Sequence, residues 1–322
     1  MSLKRHLIIL SVLLGGATTA SANVQDEGLE AGRRAYERSD YATAVQILQA
    51  ASTKDPQNSE AQLLLAKSYY ELRQFDGAIA TAEKAVAIAP QNSVYHEWLG
   101  RAYGEKADHS GWLSGISLAK KTRKELEIAV QLDGKNFSAR QALIEFDCAA
   151  PGMVGGGEDH ARPHITELAA MDPAEGYYAA GNCRRQKKNY AAADEEFTKA
   201  LRSNPSSPEL IYDIGDYALK RGQTERLLEV ADAGEKAEPR DVRGKFYRGV
   251  ALVLKKEKPE KAEMLLREYL TSAPVRTAYP KAADAHHWLG RLYENQDNKE
   301  AAASEYEAAR KLDPQNKTYR NR

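Results

Sequence analysis

The sequence has no net charge and no apolar run long enough to cross a bilayer. Its 322 residues carry 46 basic and 46 acidic side chains. Nucleic-acid binding needs a basic field, so a neutral chain is a poor candidate for it. A membrane-spanning helix takes about 20 apolar residues. We therefore expect no nucleic-acid partner, and no membrane span once the N-terminal segment is removed.

Recognisable catalytic and metal-binding patterns are also missing. His160 and His164 have the i,i+4 spacing that could hold a metal, but Pro163 lies between them and no His-Glu-x-x-His pattern occurs. The loop Met153–Gly157 lacks the Lys-Ser/Thr ending of a phosphate-binding loop. We interpret the histidines as surface residues and the loop as a tight turn. The sequence predicts no catalytic residue, no metal site and no cofactor, and so no enzyme.

The N-terminus has the pattern of an export signal. Lys4 and Arg5 precede an apolar run, Leu7–Leu14, and the sequence Ala20-Ser21-Ala22 follows. A basic region, a short apolar region and an A-x-A site are typical of a secretory signal peptide, here residues 1–22. A retained membrane anchor is the alternative, but the run is too short to span a bilayer. We expect a periplasmic protein, with secretion as the alternative.

The rest of the chain repeats a unit of 34 residues. The stretch Ser59–Asn92 contains two amphipathic halves, separated by a polar turn and closed by Pro90. Pro56 and Pro90 are 34 residues apart, and so are Pro205 and Pro239. The residue before a proline is disfavoured in the α conformation, which ends one helix before Asn or Ser caps the next. Thirty-four residues are too few to bury a core, so we expect the helical hairpins to stack on their neighbours.

The repeated positions resemble the tetratricopeptide repeat family. The last unit carries its pattern best, at Leu289-Gly290, Tyr293, Ala302, Tyr306, Ala309 and Pro314, and the second carries Leu65-Ala66, Tyr69, Ala78, Ala85 and Pro90. The resemblance implies an all-α fold, a right-handed superhelical solenoid of about eight helix-turn-helix hairpins over residues 23–316, followed by a short tail, 317–322. The hairpins are expected at 25–58, 59–92, 93–136, 137–173, 174–207, 208–241, 242–276 and 283–316. Small residues at positions 8, 20 and 27 allow the two helices to approach closely.

Three insertions interrupt this pattern, near residues 106–119, 150–157 and 272–282. The first contains the apolar segment Gly111–Ile116. We interpret it as a loop folded back on the array, because an exposed Trp and Leu would favour aggregation; a partner-docking element or a lid is the alternative. Few residues follow Asn316, so no C-terminal capping helix is expected. An uncapped end would permit self-association.

The resemblance also implies that positions 2, 5, 9, 12 and 13 of each first helix line a concave groove. Positions 9 and 13 of the first three hairpins would form a basic row beside an acidic row: Arg33, Lys67 and Arg101, with Glu37, Glu71 and Glu105. A solvated face with i,i+4 ion pairs is the alternative. Such pairs are stronger when the acid precedes the base, and here the order is reversed. We therefore favour a protein-binding surface.

A second row of candidate groove residues is aromatic. It comprises Tyr36 and Tyr70 at position 12, and Tyr178, Tyr212, Phe246 and His287 at position 5. Tyrosine outnumbers phenylalanine 17 to 5, and rigid amphipathic rings suit peptide contacts because they lose little side-chain entropy. Ordinary packing between hairpins is the alternative. Some relatives grip a C-terminal carboxylate with Lys, Asn and Arg, but position 9 carries no Asn in the first three hairpins.

The two cysteines, Cys148 and Cys183, are 35 residues apart, about one repeat. This spacing can place them on adjacent packed helices with their side chains facing each other. An oxidising compartment would favour a disulfide. Two buried free thiols are an equally good interpretation.

These features favour a periplasmic, non-enzymatic scaffold that binds protein segments in its groove, in an envelope-associated assembly. A chaperone-like holdase that uses the tyrosine rows is one alternative. A metal-dependent hydrolase is another, because catalytic sets assemble in space and need no sequence motif. The fold alone does not decide among them.

Overall fold

The computed structural model describes residues 18–276 and 278–320. Over these ranges the protein contains seventeen α-helices, one 3₁₀ turn and no strand, so the predicted all-α class is confirmed. The predicted signal peptide lies outside the described residues, except for residues 18–22 at the start of the first helix. No helix in the described part of the chain is long and apolar enough to cross a membrane.

Sixteen of the described helices form eight consecutive hairpins. The pairs are α1 (Thr18–Glu37) with α2 (Tyr41–Lys54), α3 (Ser59–Glu71) with α4 (Phe75–Ile88), α5 (Ser93–Asp108) with α6 (Trp112–Leu132), α7 (Phe137–Ala149) with α8 (Glu158–Met171), α9 (Pro173–Gln186) with α10 (Tyr190–Arg202), α11 (Pro208–Lys220) with α12 (Thr224–Ala237), α13 (Arg243–Lys255) with α14 (Pro259–Ser272), and α15 (Ala282–Asn295) with α16 (Lys299–Leu312). A single-turn helix, α17 (Lys317–Arg320), follows.

The chain divides after Pro90 into two compact units. The N-terminal unit contains α1 to α4, in which α1 packs on α3 and α2 packs on α3. The C-terminal unit contains α5 to α17. In it α5 packs on α7, α7 on α9, and α13 on α15, so first helices contact first helices of neighbouring hairpins.

Local chemistry sets where the helices end and begin. Asp55, which precedes Pro56, adopts a non-helical conformation and ends α2. Asn58 then caps α3, its side-chain oxygen accepting a hydrogen bond from the Ala61 N–H at 2.9 Å. The same cap recurs at Asn136, Asn189 and Asn298.

A close helix–helix contact recurs at position 8 of the hairpins. A Cβ atom added to Gly181 would lie 2.6 Å from Cε1 of Phe197, and one added to Gly290 would lie 2.5 Å from Cε1 of Tyr306. Both rings are buried, so they have little room to move. Gly32 meets Leu48 in the same way in the N-terminal unit. A small residue at this position therefore fixes how closely the two helices of a hairpin approach.

The main hydrophobic core lies in the C-terminal unit, between α9 and α15. The rings of Tyr212 and Tyr247 stack at 5.5 Å with 9° between their planes. Phe246 packs edge-on against Tyr247, with ring centroids 5.3 Å apart. Leu227, which replaces the alanine usual at position 20, is completely buried. Aromatic and branched side chains thus fill the space between successive hairpins.

The insertion in the third hairpin is helical, so the prediction of a folded-back loop is wrong. Helix α5 runs to Asp108 and α6 begins at Trp112, which leaves only residues 109–111 as the turn. The extra residues contain no proline and lengthen both helices instead. Trp112 and Leu113 are 70% and 81% exposed at the end of the hairpin.

The glycine-rich segment of the fourth hairpin folds back along α7. It contains a 3₁₀ turn at Gly152–Val154, and the Gly157 N–H donates a hydrogen bond to the Asp147 carbonyl oxygen at 2.7 Å. Beside it, Cys148 and Cys183 form a disulfide that joins α7 to α9, with Cα atoms 5.4 Å apart. The structure therefore contains the bonded form of the two that the sequence left open.

The last hairpin carries a short C-terminal cover that was not predicted from the sequence. Tyr319 of α17 is 3% exposed and packs with Ala283 and Ala309. Its hydroxyl donates a hydrogen bond to Oδ1 of Asp284 at 2.5 Å. One helical turn with one large ring is enough to cover two small residues. The predicted self-association through an uncapped end loses part of its basis.

The glycine contact predicts opposite effects of two identical substitutions. Gly181→Ala should lower the free energy of unfolding by about 1–3 kcal/mol, because the new methyl group overlaps Phe197. Gly104→Ala is the matched control: its Cβ would lie 3.4 Å from Thr122 Cγ2, an ordinary contact. It should raise stability by about 0.5–1 kcal/mol through helix propensity. Thermal denaturation followed by circular dichroism measures both, and equal effects would contradict the close contact.

The disulfide predicts a local change in stability. Replacing both Cys148 and Cys183 by alanine removes a cross-link over a 35-residue separation, which is worth about 3–4 kcal/mol. Amide hydrogen exchange should accelerate in α7 to α9 and remain unchanged in α13 and α14. Wild-type protein treated with a reductant should reproduce the change. Unchanged exchange in α7 to α9 of both samples would show that the bond does not stabilise this region.

Candidate functional site

A cavity of about 630 Å³ opens along the first helices of four successive hairpins in the C-terminal unit. Helices α7, α9, α11 and α13 form its floor and walls, and the segment Ala278–Pro280 closes one side. We call this space the α7–α13 groove. It is lined by Phe137, Ser138, Gln141, Glu175, Tyr178, Ser207, Glu209, Leu210, Tyr212, Asp213, Asp216, Arg243, Tyr247, Ala278 and Pro280.

Two tyrosines of the wall donate hydrogen bonds to carboxylates on α11. The Tyr178 hydroxyl donates to Oδ2 of Asp213 at 2.6 Å, and the Tyr247 hydroxyl donates to Oδ1 of Asp216 at 2.6 Å. Burial raises the pKa of both tyrosines well above the usual value, and the adjacent aspartates raise it further. Both hydroxyls therefore stay protonated and hold the carboxylates in fixed orientations.

Glu175, near the start of α9, is a buried carboxyl group. Glu175 is 8% exposed, and the Gln141 side-chain amide donates a hydrogen bond to Oε2 of Glu175. Burial raises the pKa of Glu175 to about 7; repulsion from Asp172 adds to the shift and the Gln141 hydrogen bond opposes it. No cationic side chain of the described residues forms an ion pair with it. Glu175 therefore titrates near neutral pH.

Arg243 is the cation among the lining residues, and the neighbouring carboxylate of Asp241 neutralises its charge. Its guanidinium lies between the rings of Tyr212 and Tyr279, at 4.4 and 4.6 Å from their centroids. It also donates to Asp241, with Nε 2.9 Å and Nη2 2.5 Å from Oδ2. Both side chains of this ion pair are 4% exposed. The pair is a structural clamp at the end of the groove.

The segment before the eighth hairpin is fixed against this clamp. Arg243 Nη1 donates to the Ala278 carbonyl oxygen at 3.1 Å, and the Tyr269 hydroxyl donates to the Pro280 carbonyl oxygen at 2.5 Å. Residue 277 lies outside the described residues. The insertion predicted near 272–282 thus supplies one wall of the groove.

The groove residues predicted in the first two hairpins belong to the N-terminal unit. Arg33 pairs with Glu60 of α3 and with Glu30, at 3.1 Å from the latter. Tyr36 is half-buried with its ring 5.4 Å from that of Tyr41, and burial raises its pKa. The other predicted residues are an exposed Glu37, a half-buried Lys67, Tyr70 edge-on to Phe75, and a half-buried Glu71 whose pKa burial raises.

Arg101 and Glu105 belong to the C-terminal unit. Arg101 Nε lies 2.9 Å from Oε1 of Glu97, and its Nη2 donates to Oγ of Ser138 at 3.1 Å. Arg101 therefore connects α5 to α7, beside one end of the groove. Glu105 is half-buried on α5. Because Arg33 and Lys67 lie in the other unit, one continuous basic row stays a prediction.

The aromatic row divides into lining and core residues. Tyr178 and Tyr212, both at position 5, line the groove. Phe246 is completely buried between Tyr247 and Tyr269, and His287 is 8% exposed among Trp288, Tyr306 and Tyr319. Neither Phe246 nor His287 lines the groove, and their contact with a partner stays a prediction.

The charged residues of the groove were not predicted from the sequence. Glu175, Glu209 and Arg243 occupy position 2 of the fifth to seventh hairpins, and Asp216 occupies position 9 of the sixth. The same positional rule, applied beyond the third hairpin, would have found them. Asp213 lies one residue outside the rule and is visible only in the structure.

The two histidines at i,i+4 spacing do not meet in a metal site. His160 is exposed, whereas Nδ1 of His164 lies 3.4 Å from Nη1 of Arg140. Burial lowers the pKa of His164, and the charge of Arg140 lowers it further. Among the described residues no group of three His, Cys, Asp or Glu side chains could hold a metal ion.

The raised pKa of Glu175 predicts a pH-dependent stability. Below about 4.3, the pKa in an unfolded chain, the carboxyl is protonated in both states. Between that pH and about 7 the folded state retains a proton that the unfolded state releases, so this group's contribution to stability falls as pH rises. Glu175→Gln should therefore stabilise the protein at pH 8, by on the order of 3 kcal/mol, and leave it unchanged at pH 4.

Thermal unfolding at the two pH values measures this difference. Glu195→Gln, an exposed residue on α10, is the matched control and should change neither midpoint. Equal midpoints of wild type and Glu175→Gln at pH 8 would contradict the raised pKa.

Comparisons with known proteins agree with the hairpin architecture. Four sequence models described as tetratricopeptide repeat match residues 35–101, 174–207, 212–277 and 283–316. Hsp70-Hsp90 organizing protein 1 from Glycine max is 24% identical over 255 residues, which cover 76% of this chain. The chain spans 41% of the length of that relative.

Solved structures of similar fold include a thermophilic TPR protein of Thermus thermophilus, with a TM-score of 0.48 and 19% identity, covering 58% of this chain and 94% of that one. A tetratricopeptide repeat protein from Parabacteroides merdae has a TM-score of 0.42 and 12% identity, and covers 92% of this chain and 96% of that one. The matched residues and the eight described hairpins lead to one assignment. The chain belongs to the tetratricopeptide repeat family.

Proposed function

We propose that this protein is a non-enzymatic scaffold that binds an extended segment of a partner protein in the α7–α13 groove. The observation that carries the proposal is the groove itself: four successive first helices line one continuous cavity of about 630 Å³. Volumes of this size are typical of binding sites. Its lining also includes exposed residues, Ser138 and Asp216, so a ligand longer than the cavity has room to continue into solvent.

The character of the wall supports a polypeptide ligand. Tyr178 and Tyr247 are fixed by hydrogen bonds to aspartates, and Tyr212 is fixed by stacking on Tyr247. Rigid aromatic side chains bind peptides at a small entropic cost. The name of the Glycine max relative describes a protein that organises two others. From that name we extend to this chain only a role in protein interaction.

We place the scaffold in the periplasm, in an envelope-associated assembly. The basic region, apolar run and A-x-A site at residues 1–22 support export. The Cys148–Cys183 disulfide supports it independently, because disulfides persist in oxidising compartments and are rare in the cytosol.

Selection from a phage library of random dodecapeptides tests the binding function. Peptides enriched on the immobilised protein should bind the Ala278→Trp variant at least about tenfold more weakly than wild type, because the indole fills the groove. The main chain at residue 278 keeps its position, since Arg243 still donates to the carbonyl oxygen there. Ser138→Trp places a second obstruction, at the α7 end. Ala303→Trp, on the exposed face of α16, is the matched control and should bind as wild type does.

Circular dichroism melts establish that the variants are folded. If no peptide is enriched, or if the enriched peptides bind both groove variants as tightly as the α16 control, the groove is not a peptide-binding site and the proposal is overturned.

A further inference from the structure

The groove has an unbalanced charge. Glu175, Glu209, Asp213 and Asp216 line it, together with one cation, Arg243. That cation is already neutralised by Asp241, 2.5 Å away. Its Nη2 also lies 3.5 Å from Oε1 of Glu209. The groove therefore keeps the negative charge of its other carboxylates, to which Glu175 contributes only above its pKa of about 7, and Arg243 leaves no positive charge for a ligand.

Ion pairs of the C-terminal unit include exposed acids but not three carboxylates of the groove. Highly exposed acids are paired: Glu225 with Lys255, and Asp232 with Arg248, at 2.9 and 2.8 Å. Glu175, Asp213 and Asp216 form no ion pair with any described residue. Of these three, Glu175 is buried, Asp213 is half-buried and Asp216 is exposed. Burying an uncompensated carboxylate such as Glu175 is costly, whereas pairing an exposed one contributes little. Charges retained at such a cost are typical of binding sites.

The unused atoms of these side chains are hydrogen-bond acceptors. One oxygen of Asp213 receives the Tyr178 hydroxyl, one of Asp216 receives the Tyr247 hydroxyl, and one of Glu175 receives the Gln141 amide. The second oxygen of each has no hydrogen-bond partner among the described residues. An ionised carboxylate accepts and cannot donate. A ligand that enters the groove must therefore bring donors.

Resting on the proposed function, we infer that the α7–α13 groove selects a partner segment rich in lysine or arginine. The cationic side chains of the segment lie beside Glu175, Asp213 and Asp216. Ammonium and guanidinium groups supply both the donors and the positive charge that the groove lacks. Their methylene stems pack along the tyrosine rings. An acidic segment, or a C-terminal carboxylate, meets like charge at the same three residues.

Fluorescence anisotropy with three labelled nonapeptides tests the charge preference. They alternate alanine with lysine, glutamine or glutamate. The lysine peptide should bind at least about tenfold more tightly than the glutamine peptide, with an affinity that falls as salt is raised, and the glutamate peptide should not bind.

A charge-matched pair of variants assigns the binding to the groove. Asp213→Asn/Asp216→Asn should weaken the lysine peptide about tenfold or more, while each new amide oxygen still accepts its tyrosine hydroxyl. Glu195→Gln/Glu229→Gln removes the same charge from exposed positions on α10 and α12 and should leave the affinity unchanged.

Several results would overturn the inference. These are glutamine or glutamate peptides that bind as tightly as the lysine peptide, an equal loss in both double variants, or spermidine that binds as tightly as the lysine peptide. The last result would identify a small polycation as the ligand. Groove-dependent dodecapeptides without charge preference would overturn this inference and leave the scaffold intact, whereas their absence would overturn the scaffold.

Discussion

The contact between a glycine of a first helix and a large side chain of a second helix is the constraint on which the C-terminal unit depends. Gly181 with Phe197, Gly249 with Leu266 and Gly290 with Tyr306 leave no space for a Cβ atom. Because the first helix of these three hairpins has no side chain at the contact, its backbone packs close to the second helix. Neighbouring hairpins then stack first helix on first helix, as α7 does on α9. The groove is the surface that this stacking leaves on one side of α7, α9, α11 and α13.

The same packing joins the stability of the fold to the geometry of the groove. Tyr178 lies three residues before Gly181, on the same face of α9, and its ring is 6.1 Å from that of Phe197. Its hydroxyl reaches the next hairpin and orients Asp213. The Tyr212–Tyr247 stack likewise connects α11 to α13 while both residues line the groove. The wall is therefore an outer layer of the core, and a ligand meets side chains whose positions are already fixed.

The sequence was sufficient for the fold, since prolines and small residues at a fixed period specify one hairpin geometry throughout. It was not sufficient where the surroundings of a single residue decide whether its side chain lies in the groove, in the core or in solvent. Position 5 carries Tyr178, which lines the groove, but also Phe246 and His287, which do not, and the repeat position alone does not distinguish them. Trp112 was expected to fold back, yet uninterrupted helix formation carries it outward. The wall at Ala278 and Pro280 depends on Arg243, which is distant in sequence.

Burial alone does not explain why the groove carboxylates lack cations, because this chain pairs a buried acid elsewhere. Asp147 of α7 is completely buried, and Arg123 of α6 donates to its Oδ1 at 3.0 Å. Asp241, also buried, likewise accepts a hydrogen bond from Nε of Arg243. The first pair joins α6 to α7, and Arg243 of the second pair also donates to the Ala278 carbonyl oxygen, so both acids have a structural role and an internal cation. Glu175, Asp213 and Asp216 are oriented by neutral donors instead. Neutral donors fix the direction of a carboxylate without cancelling its charge, which leaves the field of the groove for a ligand to neutralise.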